Sequence, residues 1–404
     1  MVKVYKQISE LGEIITGKTP STENSELWGG DIPFITPTDI IGYDSFYQQE
    51  TERTISVNGV CKQKKTLLPE NTVCVTCIGS TIGKVCVTKV PSITNQQINS
   101  IIPNKDNDYR YIYYLIRENL NYLQLIGGGS GSGTPIISKN KFGKFQFLVE
   151  EDLHIQQKIA SILSTYDNLI ENNTKRIKLL EQMAENLYKE WFVRFRFPGH
   201  ENTPMENGLP KGWKKVVASS IIDVMSGGTP KTEYEEFYGG TIPFYTPKDA
   251  GDSIFVYRTI TNITDEGLAH CNSQLYPKGA LIITARGTVG KLSILGVPMA
   301  MNQSCFALQL KTKNNPYYLY YTMKEEVARL KKMANGGVFD TIVVKTFDHI
   351  KVLFPSDKML VLFSNAVSPI LDQIKALTQQ NANLTRQREL LLPRLMSGKL
   401  EVTP

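Results

Sequence analysis

The chain contains an internal duplication, and this duplication constrains its fold more than any other feature. The segment GKTPSTENSELWGGDIPFITPTDI, which starts at Gly17, aligns without a gap with GGTPKTEYEEFYGGTIPFYTPKDA, which starts at Gly227. Further along, STIGK matches GTVGK and YIYYL matches YLYYT, in the same order. A repeat of this length predicts two copies of one module, because each copy can build its own core.

A long helical pattern follows each copy of the module. Ser164 and Asp167 have the spacing of a capping box, and Ser368 with Pro369 pairs a cap residue with proline at the first helical position. The two long helices are therefore predicted to begin at these residues. A short helix is predicted before each of them, over residues 154–163 and 358–367.

Both helical patterns place apolar residues at alternating three- and four-residue steps, which is the spacing of a coiled-coil seam. Antiparallel pairing would bring Asn173 to Asn381 at mid-length, where a buried amide fixes the register. The alternative is two amphipathic helices that pack on separate domains. The predicted seam residues are Tyr166, Leu169, Asn173, Leu180, Met183, Leu187, Ile370, Ile374, Leu377, Asn381, Leu384 and Leu391.

The rest of each copy mixes strand and helix patterns. Short alternating runs at 72–78 and 280–285 predict strands, and the tyrosine-rich runs at 111–125 and 317–333 predict helices that pack on a sheet. The predicted class is α+β, with two globular modules separated by a long antiparallel two-helix coiled coil. The predicted segments are 1–151 (first module), 152–200 (central helical region), 201–355 (second module) and 356–404 (C-terminal helical region).

Composition sets the partner class only broadly. The formal net charge of +6 permits a polyanionic partner without requiring one. The N-terminus lacks the apolar core of a signal peptide, and no run of about 20 apolar residues could span a bilayer. We therefore expect a cytoplasmic protein.

The motifs that could carry chemistry are weak. Cys74 and Cys77 form a C-x-x-C, but Ile282 and Ala285 stand at the equivalent positions of the second copy, which favours buried strand positions. The lysines of GSTIGK and GTVGK are not followed by the Ser or Thr of a P-loop. The glycine run 127–134 lacks the dinucleotide-binding pattern, and the four histidines have no ligand spacing. We expect no catalytic residue and no metal site, and so a recognition protein rather than an enzyme.

Two equivalent modules on a stiff rod suit a long repetitive ligand such as DNA. A helix of about 30 residues spans roughly 45 Å. That length exceeds the roughly 34–36 Å between successive half-sites on one face of B-DNA. Each module could then contact a few base pairs, with unread pairs between them.

The paired G-x-T-P, G-G-x-I-P-F and T-P-x-D segments, each followed by a coiled-coil helix, resemble the specificity subunit of Type I restriction–modification enzymes. The resemblance covers essentially the whole chain. It implies that the two modules are target-recognition domains that bind a two-part, asymmetric DNA sequence. It also implies two modification subunits, which carry S-adenosylmethionine and methylate adenine N6, and restriction subunits that use ATP and Mg²⁺. No cofactor is expected in this chain.

Positions that differ between the copies are the better candidates for base recognition, because shared residues cannot distinguish two half-sites. The divergent stretches are 48–65 and 252–274, and Arg286 has no arginine counterpart in the first copy. Shared Thr and Lys positions are expected to shape turns or contact phosphates. The DNA-binding candidates are Lys18, Thr19, Arg53, Lys62, Lys64, Lys65, Lys84, Thr229, Arg258, Arg286 and Lys291.

Two alternative functions are also compatible with the sequence. One is the recognition part of a fused single-chain methyltransferase–nuclease. Met1 and the ordinary C-terminal end argue against it, so we expect a separate subunit. The other is a duplicated protein-binding adaptor, which would show no salt-dependent affinity for DNA.

Overall fold

The chain folds into two compact units that do not follow the order of the sequence. The computed structural model describes residues 2–40, 46–48, 50–127, 135–251, 253–312, 315–333 and 341–402. The first unit comprises Met1–Arg176 and Leu377–Pro404, and the second unit comprises Ile177–Ala376. The division falls inside both long helices, the central helix Leu153–Tyr188 and the C-terminal helix Asp357–Ser397. Each unit therefore combines one sequence repeat with a segment of each helix.

The first unit is built on three sheets of its described residues. Strands Lys3–Gln7 and Gln146–Glu150 pair antiparallel. A five-stranded sheet has the order Gly12–Thr16, Ile98–Pro103, Val73–Thr76, Val85–Thr88, Tyr47–Gln48, and a three-stranded sheet has the order Arg53–Ile55, Trp28–Ile35, Ile93–Thr94. The remaining helices are Ile8–Leu11, Val57–Lys62, Tyr109–Glu118, Leu120–Gly127 and Lys139–Gly143, with 3₁₀ turns at Ser25–Leu27, Lys64–Thr66 and Gly79–Thr81.

The second unit repeats this topology strand for strand. Lys214–Val217 pairs antiparallel with Lys351–Phe354. The five-stranded sheet has the order Ile222–Ser226, Cys305–Leu310, Leu281–Thr284, Leu292–Leu295, Phe255–Val256, and the three-stranded sheet has the order Thr261–Ile263, Tyr238–Tyr245, Ala300–Met301. Its helices are Ala218–Ile221, Asp265–Ala269, Pro316–Met333 and Thr346–His349, with 3₁₀ turns at His200–Asn202, Glu235–Phe237 and Pro247–Asp249. The predicted α+β class and duplication are confirmed.

The junction between the repeats is anchored rather than free. The central helix continues as a π-helical turn, Lys189–Val193, and a hairpin of Met205–Glu206 with Leu209–Pro210 follows. The rings of Phe197 and Trp213 stack with centroids 5.0 Å apart, and both side chains are buried in the core of the second unit. The segment 197–213, whose Pro, Gly and Asn content is typical of a linker, thus contributes to that core.

The repeated G-x-T-P motif has a steric cause. A Cβ on Gly17 would lie 2.2 Å from the carbonyl oxygen of Thr94, and one on Gly227 would lie 2.3 Å from that of Met301. Only glycine fits so close an approach of two backbones. The threonine of the motif bonds a glutamine on the other of these two segments. Thr19 Oγ1 donates to Gln96 Oε1 at 2.6 Å, and Thr229 Oγ1 donates to Gln303 Oε1.

The repeated T-P-x-D motif closes a loop through its aspartate. Asp39 accepts hydrogen bonds from the backbone N–H of Thr36 at 2.8 Å and of Glu52 at 2.8 Å. Asp249 makes the same pair of bonds to Thr246 at 2.8 Å and Ile260 at 2.7 Å. A carboxylate that satisfies two backbone donors ties the end of the long strand to the divergent stretch that follows.

The tyrosine-rich helices pack on the five-stranded sheets, as predicted. Tyr111, Tyr113 and Tyr114 are fully buried in the first unit, and Tyr318 and Tyr321 are buried in the second. The hydroxyl oxygen of Tyr111 accepts a hydrogen bond from the Glu150 N–H at 3.0 Å, and burial raises the pKa of Tyr111 to about 12. Each ring therefore adds apolar area while its hydroxyl stays neutral.

The C-x-x-C cysteines lie in the strand environment that the repeat predicts. Cys74 is buried in strand Val73–Thr76, and Ile282 is buried at the equivalent position of strand Leu281–Thr284. Cys77 is also buried, which raises the pKa of its thiol to about 11. A neutral thiol of this kind packs as a small apolar side chain.

The predicted starts of the long helices are wrong. The central helix already begins at Leu153 and the C-terminal helix at Asp357, so Ser164 and Pro369 lie inside helices. The short helix expected before each one is the first part of the same helix. The first part of each helix is buried at the same four-residue spacing as the later seam. These buried residues are Ile155, Ile159 and Leu163 in the central helix and Met359, Phe363 and Val367 in the C-terminal helix. This continuous burial outweighs the local cap signals and the backbone hydrogen bond that proline removes.

Part of the predicted seam is displaced by one residue. Leu169 is 42% exposed and Met183 is 59% exposed, whereas Ile170 and Ala184 beside them are buried. Tyr166 and Leu187 are half-buried next to the buried Asp167 and Tyr188. Among the other predicted seam residues, Asn173, Ile374 and Leu377 are buried, and Leu180, Ile370, Asn381, Leu384 and Leu391 are half-buried. The prediction followed apolar residues and so passed over a buried aspartate.

Asn173 meets Asn381, as antiparallel pairing predicts. The Asn173 Nδ2 donates to Asn381 Oδ1 at 2.9 Å and to Gln380 Oε1 at 3.2 Å. Asn381 Nδ2 returns a bond to the carbonyl oxygen of Ile170 at 3.4 Å. These amides satisfy one another inside the first unit, and a slip of either helix would leave them unpaired.

A buried ion pair lies further along the same helix contact. Arg388 is 1% exposed and Asp167 is 7% exposed, and their side chains are bonded through Arg388 Nη1 and Asp167 Oδ1. Tyr114 donates its hydroxyl to the other carboxylate oxygen, and Glu389 accepts from Arg388 Nη2 at 2.9 Å. The second unit has Leu371 and Ala184 at the equivalent helix positions. The same helix positions are thus occupied by a charged pair in the first unit and by two apolar residues in the second unit.

Arg388→Ala is expected to destabilise the first unit by about 3 kcal/mol or more, because it leaves the Asp167 carboxylate buried without its main partner. The double variant Asp167→Leu with Arg388→Ala carries the residues of the second unit and should recover most of that loss. Urea unfolding followed by circular dichroism measures both effects.

The matched control removes an exposed pair on the same helix. Lys175 bonds Glu171 at 2.6 Å with its side chain 66% exposed, so Lys175→Ala should change stability by less than about 0.5 kcal/mol. Equal losses for Arg388→Ala and for the double variant would contradict the role assigned to the ion pair.

Candidate nucleic-acid interface

The divergent stretches of the two units are held on the same backbone frame. Ser56 Oγ accepts from the Gly59 N–H at 3.2 Å, and Thr264 Oγ1 accepts from the Gly267 N–H at 3.0 Å. Each of these residues caps a short helix, Val57–Lys62 or Asp265–Ala269. A Cβ on Gly59 would lie 2.4 Å from the Leu27 carbonyl oxygen, and one on Gly267 would lie 2.4 Å from that of Phe237. The backbone path is therefore common to both units.

The side chains on this frame differ sharply in charge. Residues 53–65 contain one arginine and three lysines and no acidic residue, whereas residues 261–273 contain Asp265 and Glu266 and no lysine or arginine. The predicted candidates within residues 53–65 are all exposed, and they are Arg53, Lys62, Lys64 and Lys65. Their counterparts in the second unit are Thr261, His270, Asn272 and Ser273. One scaffold thus presents two different surfaces.

Arg53 is held in place by an aromatic ring that the sequence analysis did not single out. Its guanidinium lies 3.5 Å from the centroid of the Trp28 indole, and Trp28 Nε1 donates to the Ser21 carbonyl at 3.0 Å. Stacking occupies the face of the guanidinium and leaves its in-plane N–H donors for a further acceptor. The strand register could have indicated this pair, because Phe34 lies opposite Arg53 and contacts Trp28.

The candidates shared by both units have mixed environments. Lys18 is exposed, and Thr19 and Thr229 make the bonds described above. Lys84 is half-buried and donates from Nζ to the Ile40 carbonyl at 3.1 Å. Its counterpart Lys291 is exposed at the rim of a surface pocket in the second unit. The two equivalent lysines therefore differ in exposure.

The remaining candidates belong to the second unit or lie outside the described residues. Arg258 follows strand Phe255–Val256 and Arg286 follows strand Leu281–Thr284, and both side chains are exposed. Both therefore present their donors at the ends of strands in the five-stranded sheet. The glycine loops 127–133 and 336–337, for which the sequence leaves open both closure on the DNA backbone and a simple connecting role, lie outside the described residues apart from Gly127 at a helix end.

Within the part of the chain that the structure describes, no group of three or more His, Cys, Asp or Glu side chains could hold a metal ion. None of the described helices combines the length and the apolar character that crossing a bilayer requires.

Comparison with known proteins identifies the family. The family described as "Type I restriction modification DNA specificity domain" matches residues 3–182 and 210–386, one match in each repeat. The Type I restriction enzyme MjaIX specificity subunit of Methanocaldococcus jannaschii is 29% identical over 98% of this chain and 93% of its own length. The HindI specificity subunit of Haemophilus influenzae is 22% identical over 75% of this chain and 78% of its own length.

A solved structure supports the same assignment at the level of the fold. The crystal structure of a Type I restriction–modification S subunit from M. genitalium superposes with a TM-score of 0.60 at 16% identity, and covers 98% of this chain and 96% of that chain. The duplicated modules, the paired helices and the family matches in both repeats agree. The chain therefore belongs to the DNA specificity subunits of Type I restriction–modification enzymes, which are the non-catalytic members of those assemblies.

Proposed function

We propose that each unit reads one part of a two-part DNA sequence, and that the side chains which differ between the units on their common frame select the bases. The observation that carries this proposal is the pairing of identical backbone contacts at Ser56 and Thr264 with unlike neighbouring side chains. A repeated scaffold with altered surface residues binds the same class of ligand with a different sequence preference.

The complete assembly contains two modification subunits, one for each repeat, together with restriction subunits. S-adenosylmethionine, ATP and Mg²⁺ bind those partners. Family membership supports this part of the proposal, and the duplication supports two equivalent docking positions. This chain selects the DNA site while its partners perform the chemistry.

Arg53 is the first residue to test. An arginine pre-positioned by stacking is suited to bidentate bonds with guanine O6 and N7, a contact worth about 1–3 kcal/mol of discrimination. Arg53→Thr, which introduces the counterpart residue Thr261, should relax the preference at one position of one half-site. Mapping methylated adenines in cells that express the chain with its modification subunits measures the change.

A matched variant in the second unit provides the control. Arg258→Ala should alter the other half-site and leave the one affected by Arg53→Thr unchanged. A change in both half-sites with either variant would contradict the assignment of one half-site to each unit.

The paired helices are proposed to set the number of unread base pairs. Inserting one helical turn, about 6 Å, at the unit boundary in both long helices should widen the spacer by about one or two base pairs. The same methylation map reads the spacer directly. Both half-sites should stay as they are, and altered half-sites would count against the helices acting as spacers.

A further inference from the structure

Both units carry the same glutamine at the same exposed turn. Gln96 and Gln303 occupy equivalent positions of the two repeats, and both residues are exposed. Other exposed positions differ between the units, as Arg53 and its counterpart Thr261 do. A glutamine that is present at one exposed position of both copies indicates a role that the two units share.

Hydrogen bonds fix the backbone of this turn in the first unit. The Asn95 N–H donates to the Ile35 carbonyl at 3.1 Å, and the Gln97 N–H donates to Asn95 Oδ1 at 3.1 Å. The Gln97 carbonyl accepts from the Cys77 N–H at 2.8 Å. The turn is thereby bonded to the three-stranded sheet on one side and to the segment after strand Val73–Thr76 on the other.

The second unit repeats these bonds. The Asn302 N–H donates to the Tyr245 carbonyl at 3.0 Å, and the Ser304 N–H donates to Asn302 Oδ1 at 3.1 Å. The Ser304 carbonyl accepts from the Ala285 N–H at 2.7 Å. Because the bonds agree one for one, the glutamine has the same backbone support in both units.

The threonine of the G-x-T-P motif orients the side-chain amide of each glutamine. Gln96 Oε1 accepts from Thr19 Oγ1 at 2.6 Å, and Gln303 Oε1 accepts from Thr229 Oγ1. Among the described residues, neither glutamine Nε2 has a hydrogen-bond partner. A side-chain amide nitrogen carries two N–H donors. Each unit therefore presents an oriented, uncharged pair of donors at its surface.

These donors lie at the same end of the three-stranded sheet as the residue assigned to base selection. In the first unit Arg53 is opposite Phe34, and Phe34 is opposite Ile93, in the strand that leads into the turn of Gln96. The strand register of the second unit is the same. A constant donor pair thus lies near a side chain that differs between the units.

We propose that Gln96 and Gln303 donate hydrogen bonds to DNA phosphates and so position each unit on the duplex beside its base-selecting residue. Phosphate oxygens are acceptors that repeat at every base pair, so the same donor can serve two different half-sites. This inference rests on the proposed DNA-binding function and adds the contact that both units make in common.

The test measures the affinity of the full-length chain for a random-sequence DNA duplex by fluorescence anisotropy, between about 50 and 200 mM salt. Q96A and Q303A should each weaken binding about tenfold, because each removes hydrogen bonds to a charged group. The double variant should show the product of the two losses. The slope of log K against log salt concentration should stay that of the wild type, because an uncharged donor releases no condensed counterions.

Base selection should not change in these variants. The map of methylated adenines in cells that express Q96A with the modification subunits should show the wild-type half-sites. An altered base preference would mean that Gln96 contacts a base, and would overturn the assignment to phosphate.

A glutamate variant separates a DNA contact from a purely structural role. Q96E keeps an acceptor for Thr19 but removes the donors and adds a negative charge, so it should bind the duplex more weakly than Q96A. Q146E makes the same change at an exposed position of strand Gln146–Glu150 and should bind like the wild type. Thermal unfolding followed by circular dichroism verifies that each variant is folded. If Q96E binds like the wild type, the glutamine serves only to bond Thr19, and the proposal fails.

The outcomes distinguish this inference from the function on which it rests. A wild-type chain with no salt-dependent affinity for the duplex would overturn DNA binding itself, and with it the glutamine contact. A wild-type chain that binds, with alanine variants that bind equally well or that lower the salt slope, would overturn only the glutamine contact.

Discussion

Pairing of the long helices within each unit is the contact on which the rest of the structure depends. In the first unit this pairing buries Asp167 with Arg388 and Asn173 with Asn381. Buried polar pairs contribute less to stability than apolar packing of the same size, but each must find its own partner. These residues therefore specify which helix segments meet, and at which register. In the second unit, the packing of the aromatic rings of Tyr188, Trp191 and Phe363 specifies which helix segments meet.

Each recognition module combines a constant backbone with variable side chains. The glycines at 17, 59, 227 and 267 are required because a Cβ at each position would lie less than 2.5 Å from a backbone carbonyl oxygen. The aspartates at 39 and 249 tie loops to strands. Because these residues carry the shape, the exposed residues between them are free to change. The exposed surface can thus differ between the two copies without a cost in core packing.

Four features were predictable from the sequence. They are the duplication, the α+β class, the strands around Cys74 and Ile282, and the Asn173–Asn381 contact. Each depends on a local pattern or on a comparison of the two copies. The helix starts were not predictable, because cap signals at Ser164 and Ser368 are local whereas the burial that overrides them is tertiary. The seam was displaced at Asp167 because its partner Arg388 is distant in sequence.

The candidate site was predictable as a region and not as a set of contacts. Divergence between the copies indicates the stretch near Arg53, but the stacking on Trp28 depends on strand register.

The composition of the first unit also bears on how the chain is synthesised. Leu392, Leu395 and Met396 belong to the same core as Ile8 and Leu11, and Lys3 bonds carbonyls near the end of the C-terminal helix. The first unit therefore receives these core residues only after the second unit, which is one uninterrupted stretch, has been synthesised. The core of the N-terminal repeat stays incomplete until residues 392–396 have been made, so a chain that lacks them loses part of the core of the module encoded first.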